Sequence, residues 1–307
     1  MTTVTVAPAR TAGRRERGAL VRALTGALRS WRGRIGLLLV VLVLALAFIG
    51  PFVAPYSATA FVAAPFNPPG PGYPLGSDYL GQDVLSRLLL GGWQLLLLAI
   101  AATCLALLAG IVIGVTAAYR RGWAETALMR GTDVLLAFPQ LVFVLLVISV
   151  LGTPTWLLVV TVAVAQAPQV ARVVHASAQD VCERDFVKAV ALWGVPPRTV
   201  ISRHVLPSLS TPLAVEAGLR LSFSIVIISG LNFLGFGVQP SDSSWGVMIN
   251  QNQLGMVSNI WGVVAPAAVL ALLAVGTNLF TDAFARAAFG EDRADVAQLA
   301  AATGAQA

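Results

Sequence analysis

The feature that most constrains this chain is a series of six apolar runs, each about as long as a hydrocarbon core of about 30 Å requires. They are Ile35–Phe52, Leu95–Tyr119, Val134–Leu151, Trp156–Val174, Leu213–Asn232 and Gly262–Asp282. In lipid the backbone N–H and C=O groups must be paired within the segment, so spans of this kind are helices. The expected fold is therefore all-α, a polytopic membrane protein with about six transmembrane helices. Pro139 and Pro168 are expected to kink the third and fourth spans. Composition agrees: 57% of the 307 residues are hydrophobic and 11% are charged, against about 25% charged in a soluble domain.

Charge sets the orientation. The net charge of +6 comes from arginine, since Lys188 is the only lysine. The first 34 residues carry eight arginines and one acid, which places the N-terminus in the cytoplasm. The run after them is too long for a signal-peptide core and ends at Gly50-Pro51 without a cleavage site. Arg120, Arg121 and Arg130 follow the second span, and Arg172, Arg184, Lys188, Arg198 and Arg203 cluster about the fourth-to-fifth connection. Opposite them the external segments hold Arg87 alone, with none from Asn232 to Trp261. A basic balance also occurs in nucleic-acid-binding proteins, but arginines beside spans point to membrane orientation and not to nucleic acid. Cys104 lies in a span and Cys182 in a polar loop, so they form no disulfide framework.

The resulting organisation is a basic cytoplasmic segment (1–34), a first span (35–52), an external segment (53–92), a five-helix unit (93–282) and a cytoplasmic tail (283–307). The first external segment begins rich in proline, glycine and aromatics. It then gives way to GSDYLGQDVLSRLLLGGW, which reads as an interfacial amphipathic helix leading into the second span. In the second external segment, Trp245 and Trp261 read as interfacial anchors.

Within the five-helix unit, loop 180–207 is basic and broken by glycine and proline. DFVKAVALWGVPPRTVISRHVLP (Asp185–Pro207) reads as a short helix over Phe186–Trp193, a turn at Gly194, and a second helix begun by Pro196-Pro197 and ended by Pro207. A helix-turn-helix displayed at a membrane surface suits docking of a soluble partner; an ordinary surface loop is the plain alternative.

Catalytic constellations are sparse. His175 and His204 are 29 positions apart, so there is no HExxH site. Lys188 lacks the glycine spacing of a P-loop, which excludes ATP binding by that route. Glu216 and Arg220, at i and i+4 on the fifth span, are a functional candidate or simply a pair that snorkels to the cytoplasmic end.

The 185–207 loop resembles the EAA motif of permease subunits of ATP-binding-cassette importers, in particular the dipeptide/oligopeptide and nickel permeases of the kind called DppC or OppC. The likeness runs from Ala171-Arg172 through Glu183-Arg184-Asp185-Phe186-Val187 to Ala189, Gly194 and Arg203-His204-Val205-Leu206-Pro207. Further resembling segments are Gly76-Ser77-Asp78 with Gly81–Arg87, Asp133 with Ala137-Phe138-Pro139, and Phe233–Gly246. The motif's Glu-Ala-Ala reads Lys188-Ala189-Val190 here, and Gln82 stands where the pattern usually has arginine.

The resemblance implies a type I ABC importer fold in the bacterial inner membrane, with no catalytic residues and no cofactor on this chain, ATP and Mg being held by partner subunits. It implies a homologous second permease, two ATPase subunits and an external substrate-binding protein as partners. It assigns ATPase coupling to Asp185, Phe186, Ala189, Leu192, Trp193, Gly194, Arg203, His204, Leu206 and Pro207. The substrate implied is a di- or oligopeptide, with nickel or a metal chelate as the alternative. An ion-coupled secondary transporter would require midplane ion ligands and repeated broken helices. An intramembrane enzyme would require paired catalytic groups within spans.

Overall fold

The computed structural model describes residues 12–236 and 243–304. Among them the chain is helical, with isolated β-bridges only. In order the helices are α1 (Ala12–Arg29), α2 (Trp31–Val53), α3 (Val84–Leu90), α4 (Gly92–Arg120), α5 (Trp123–Leu136), α6 (Gln140–Leu151) and α7 (Thr155–Cys182). They continue as α8 (Asp185–Leu192), α9 (Pro197–Val200), a π-turn (Ile201–Val205), α10 (Leu206–Ser208), α11 (Ser210–Phe233), α12 (Trp245–Asn252) and α13 (Trp261–Gly304).

Among the described residues five helical stretches are long and apolar enough to cross a membrane, or six if α5 and α6, which meet at a bend of 84°, count as one span. The bend is sharper than the expected kink. Pro139 has no N–H to continue the ladder from α5 and starts α6 instead, so span 134–151 is two helices. Pro168, by contrast, stays inside one continuous α7. The residues after the last span also remain helical, since α13 runs unbroken from Trp261 to Gly304.

Small residues let the helices approach closely, as packing between apolar helices in lipid requires. A Cβ on Gly110 of α4 would lie 2.4 Å from Val170 Cβ of α7, and one on Gly114 would lie 2.6 Å from the Ala171 carbonyl oxygen. Between α2 and α13, a Cβ on Gly36 would lie 2.8 Å from the Gly276 carbonyl oxygen. The main core gathers Leu95, Ala99, Ile148, Leu158, Ile225, Ile228, Trp245 and Leu273. A second core joins α4 and α7 to the 185–209 region through Val115, Ala118, Val170, Val174, Val187, Val200, Val205 and Leu209.

Segments 53–92 and 243–261 are knitted to each other by side-chain hydrogen bonds. Asp78 Oδ1 accepts the Leu80 and Gln82 N–H groups at 2.9 and 2.8 Å, and Asp83 Oδ2 caps α3 by accepting from Ser86 N at 2.9 Å. These side-chain bonds hold residues 76–83 in turns, so the expected helix ahead of the second span is cut to Val84–Leu90. Three of its residues, Val84, Ser86 and Arg87, are at most 2% exposed. Arg87 pairs with Asp78 and donates through Nη2 to Gln251 Oε1 at 3.0 Å. Trp245 is wholly buried, its Nε1 donating to the Leu88 carbonyl at 2.9 Å, which corrects its reading as an interfacial anchor. Trp261 is 43% exposed. Part of the Phe233–Gly246 motif, residues 237–242, lies outside the described residues.

Candidate functional site

Asp185–Pro207 folds as a compact double-helical element at the end of α7. Its first helix is started by Arg184, whose carbonyl accepts the N–H groups of Val187 at 3.0 Å and Lys188 at 3.2 Å. Val187 turns inward and is 3% exposed. Leu192 and Trp193 turn outward, 87% and 81% exposed, while Asp185 and Phe186 are also exposed and Ala189 is half-buried. Gly194 has φ +75°, the left-handed conformation that ends a helix without the penalty a Cβ would bring. The chain then reverses through Val195-Pro196.

The return leg differs from the expected helix in how it handles proline. Pro197 occupies the first turn of α9, where its missing N–H is not needed. Pro207 does not end the helix. The preceding turn widens to i→i+5 bonding, with Leu206 N donating to the Ile201 carbonyl, and the path continues through α10 toward α11. A π-turn is a usual way to absorb such an interruption. Val200, Val205 and Leu209 are buried along this leg. Arg203 is exposed, and His204, Leu206 and Pro207 are half-buried.

The structure thus brings together Phe186 and His204, whose rings form an edge-on pair, and leaves Leu192, Trp193 and Arg203 projecting. The element is joined to α4 by the second apolar core and flanked by two clefts. One is lined by Tyr119, Arg121, Cys182, Val187 and Lys188. The other is lined by Tyr119, Arg120, Pro196, Pro197, Arg198 and Ile201. Arg121 and Glu183 pair at 3.2 Å across the base, both more than half exposed, so this pair contributes little stability.

Asp133, Arg172 and His175, together with Glu125 and Gln179 that the sequence did not single out, tie α5 to α7. Arg172 meets Asp133 at 2.5 Å, and Glu125 Oε1 is 2.8 Å from His175 Nε2 and 2.7 Å from Gln179 Nε2. The spacing Arg172, His175, Gln179 is one helical face of α7, and Asp133 and Arg172 also fall in the segments that resemble the permease pattern. These bonds fasten the first half of the bent span to the helix that leads into Asp185–Pro207.

Glu216 and Arg220 do pair, Nε to Oε1 at 2.8 Å, but they do not snorkel. Both are about 5–6% exposed inside the bundle. Arg220 also donates to Gln169, and its guanidinium lies 5.0 Å from the Phe223 ring centroid.

Residues 110–289, more than half of the chain, match the family described as binding-protein-dependent transport system inner membrane component. The chain is 32% identical over 254 residues to the di/tripeptide transport system permease protein DppC of Pseudomonas aeruginosa, covering 80% of this chain and 84% of that one. It is 31% identical over 247 residues to the glutathione transport system permease protein GsiD of Pectobacterium atrosepticum, covering 80% and 82%.

Proposed function

The chain belongs to the family of binding-protein-dependent transport system inner membrane components, and from that premise we propose that it forms half of the translocation pathway of an ATP-driven peptide importer. One observation carries the mechanism. The Asp185–Pro207 element is anchored by Val187, Val200 and Val205 to the α4–α7 pair while presenting exposed Leu192 and Trp193 outward. A rigidly rooted element with an apolar tip is suited to receive motion from a soluble partner and pass it to the spans.

In this reading the partners are a homologous second permease, two cytoplasmic ATPase subunits holding ATP and Mg, and an external substrate-binding protein. The chain itself is a transport subunit, not an enzyme. Its N- and C-termini face the cytoplasm, as arginine asymmetry favours. Phe186, Ala189, Leu192 and Trp193 supply the apolar docking surface, and Asp185 and Arg203 supply its charged rim. Gly194 sets the reversal, while His204, Leu206 and Pro207 return the chain to α11. When ATP closes the ATPase dimer, the element moves as a body with α7 and α11, and the two permease subunits rock about the central path.

Peptides are the substrate class supported by the relatives, which are permeases of di/tripeptide and glutathione transport systems. Uptake of a labelled dipeptide into vesicles holding the reconstituted complex tests this directly. Competition by unlabelled di- and tripeptides but not by nickel is expected; uptake competed by nickel and not by peptides would overturn the substrate assignment.

A further inference from the structure

At the other cytoplasmic corner, α1 and the start of α2 pack against α13 and leave an open cleft. Its walls are Gly26, Ser30, Arg32, Ala283, Arg286 and Ala287, and its volume is about 410 Å³. The walls are held close: a Cβ on Gly26 would lie 2.9 Å from Ala287 Cβ, and Ala23 and Ala27 are buried against Ala283 and Phe284.

The depth of this cleft is defined on both sides. Arg32 lies three residues before Ile35, where the apolar run of α2 begins. Arg286 lies four residues beyond Asp282, where the apolar run of α13 ends. Trp31, 75% exposed, marks the same level, where tryptophan settles at a membrane interface. Below it, α2 continues with the exposed apolar side chains of Leu38 and Val41.

Charge at this level is predominantly positive. Arg29, Arg32 and Arg34 lie within six residues where α1 gives way to α2, and of these Arg32 lines the cleft opposite Arg286 of α13. Asp282 pairs with Arg286 Nη2 at 3.6 Å and its carbonyl accepts Arg286 Nε at 3.4 Å, both contacts long and both side chains about 60% exposed, an arrangement readily exchanged for a stronger anion. Two guanidinium groups across a small cleft match the paired oxygens of a phosphodiester. Aliphatic walls and an apolar helix beneath suit the glycerol and acyl portion that follows it.

We propose that this cleft binds the headgroup of an anionic phospholipid in the cytoplasmic leaflet, with Arg32 and Arg286 clamping its phosphate. The bound lipid bridges the first and last spans. Because the cytoplasmic leaflet is the anionic one, the site also favours the N-terminus-inside orientation.

The test uses the purified full chain in neutral detergent, with short-chain phosphatidylglycerol, short-chain phosphatidylcholine and inorganic phosphate as probes. Phosphatidylglycerol is expected to bind about twenty-five-fold more tightly than phosphatidylcholine, about fivefold for each of the two arginines at an anionic headgroup. Arg32→Gln and Arg286→Gln are each expected to lower that preference about fivefold, while Arg130→Gln leaves it unchanged. Equal binding of the two lipids by the wild-type chain would refute the site without reference to any variant, as would an unchanged preference in the double variant. Displacement of the lipid by equimolar inorganic phosphate would reassign the cleft to a free anion. Binding is read on the chain alone, so these outcomes are independent of whether it transports peptides.

Discussion

The ring of Phe186 meets the ring of His204 edge-on, with centroids 6.1 Å apart and planes inclined by 68°. This contact braces α8 against the π-turn that follows α9 and so ties the two legs of the element to each other. Such a pair contributes about 0.5–1.5 kcal/mol beyond its area. Phe186 also remains 48% exposed, leaving one face for a partner. Phe186→Ala should therefore lose both brace and anchor, and His204→Ala the brace alone. In pull-downs of the ATPase subunits, the Phe186 variant should retain less partner; equal retention would confine the role of Phe186 to this chain.

At Gly194, φ is +75° and nothing lies within 4 Å of where a Cβ would stand. Substitution there is a question of backbone strain and not of space. Gly194→Val should cost about 1–2 kcal/mol locally, and Gly194→Asn less, because asparagine tolerates this conformation. Amide hydrogen exchange over 185–207 should rise in the valine variant and stay near wild type in the asparagine variant, and ATP hydrolysis should uncouple from uptake in the former. Identical exchange in both would mean the turn is not held in this conformation.

Arg87 is buried, paired with Asp78 and bonded to Gln251. Removing one partner of a buried pair leaves an uncompensated charge and costs about 3–5 kcal/mol. Arg87→Ala should lower the melting temperature of the purified chain markedly. Arg87→Lys should recover only part of it, since a single ammonium does not reproduce the two-armed contact. An unchanged melting temperature in Arg87→Ala would show that segments 53–92 and 243–261 hold together without this pair.

Lys188 stands where the EAA pattern has glutamate, and it is exposed on the rim of the cleft that also holds Arg121. Exposed ion pairs are worth little, so Lys188→Ala should pull down the ATPase subunits as the wild-type chain does. Loss of association would identify Lys188 as a docking residue.

Much of the fold was legible because a span must be apolar along its whole length. The runs at Leu95–Tyr119 and Leu213–Asn232 correspond to α4 and α11 within a few residues. The positive φ at Gly194 was equally legible, since glycine between two helical patterns has a local cause. What hydropathy could not show is direction: residues on both sides of Pro139 are apolar, yet the α5–α6 path turns by 84°. Nor does a proline reveal whether the chain stops or widens around it, and at Pro207 a π-turn absorbs it. The Asp78–Arg87 pair and the Asp133–Arg172 bond join residues 9 and 39 positions apart, and such pairings depend on packing that one sequence does not display.

The central claim is that Asp185–Pro207 lies in the cytoplasm and docks an ATPase. The most direct measurement places a single cysteine at Trp193, which is 81% exposed, in a chain with Cys104 and Cys182 replaced, and carries a short photo-crosslinker into the assembled complex. A parallel cysteine at Val257, also fully exposed, reports the opposite side. The account expects an adduct between position 193 and an ATPase subunit, with position 257 labelled only from outside. A transport-competent complex that gives no adduct at 193, or labels 193 only from outside, would contradict it.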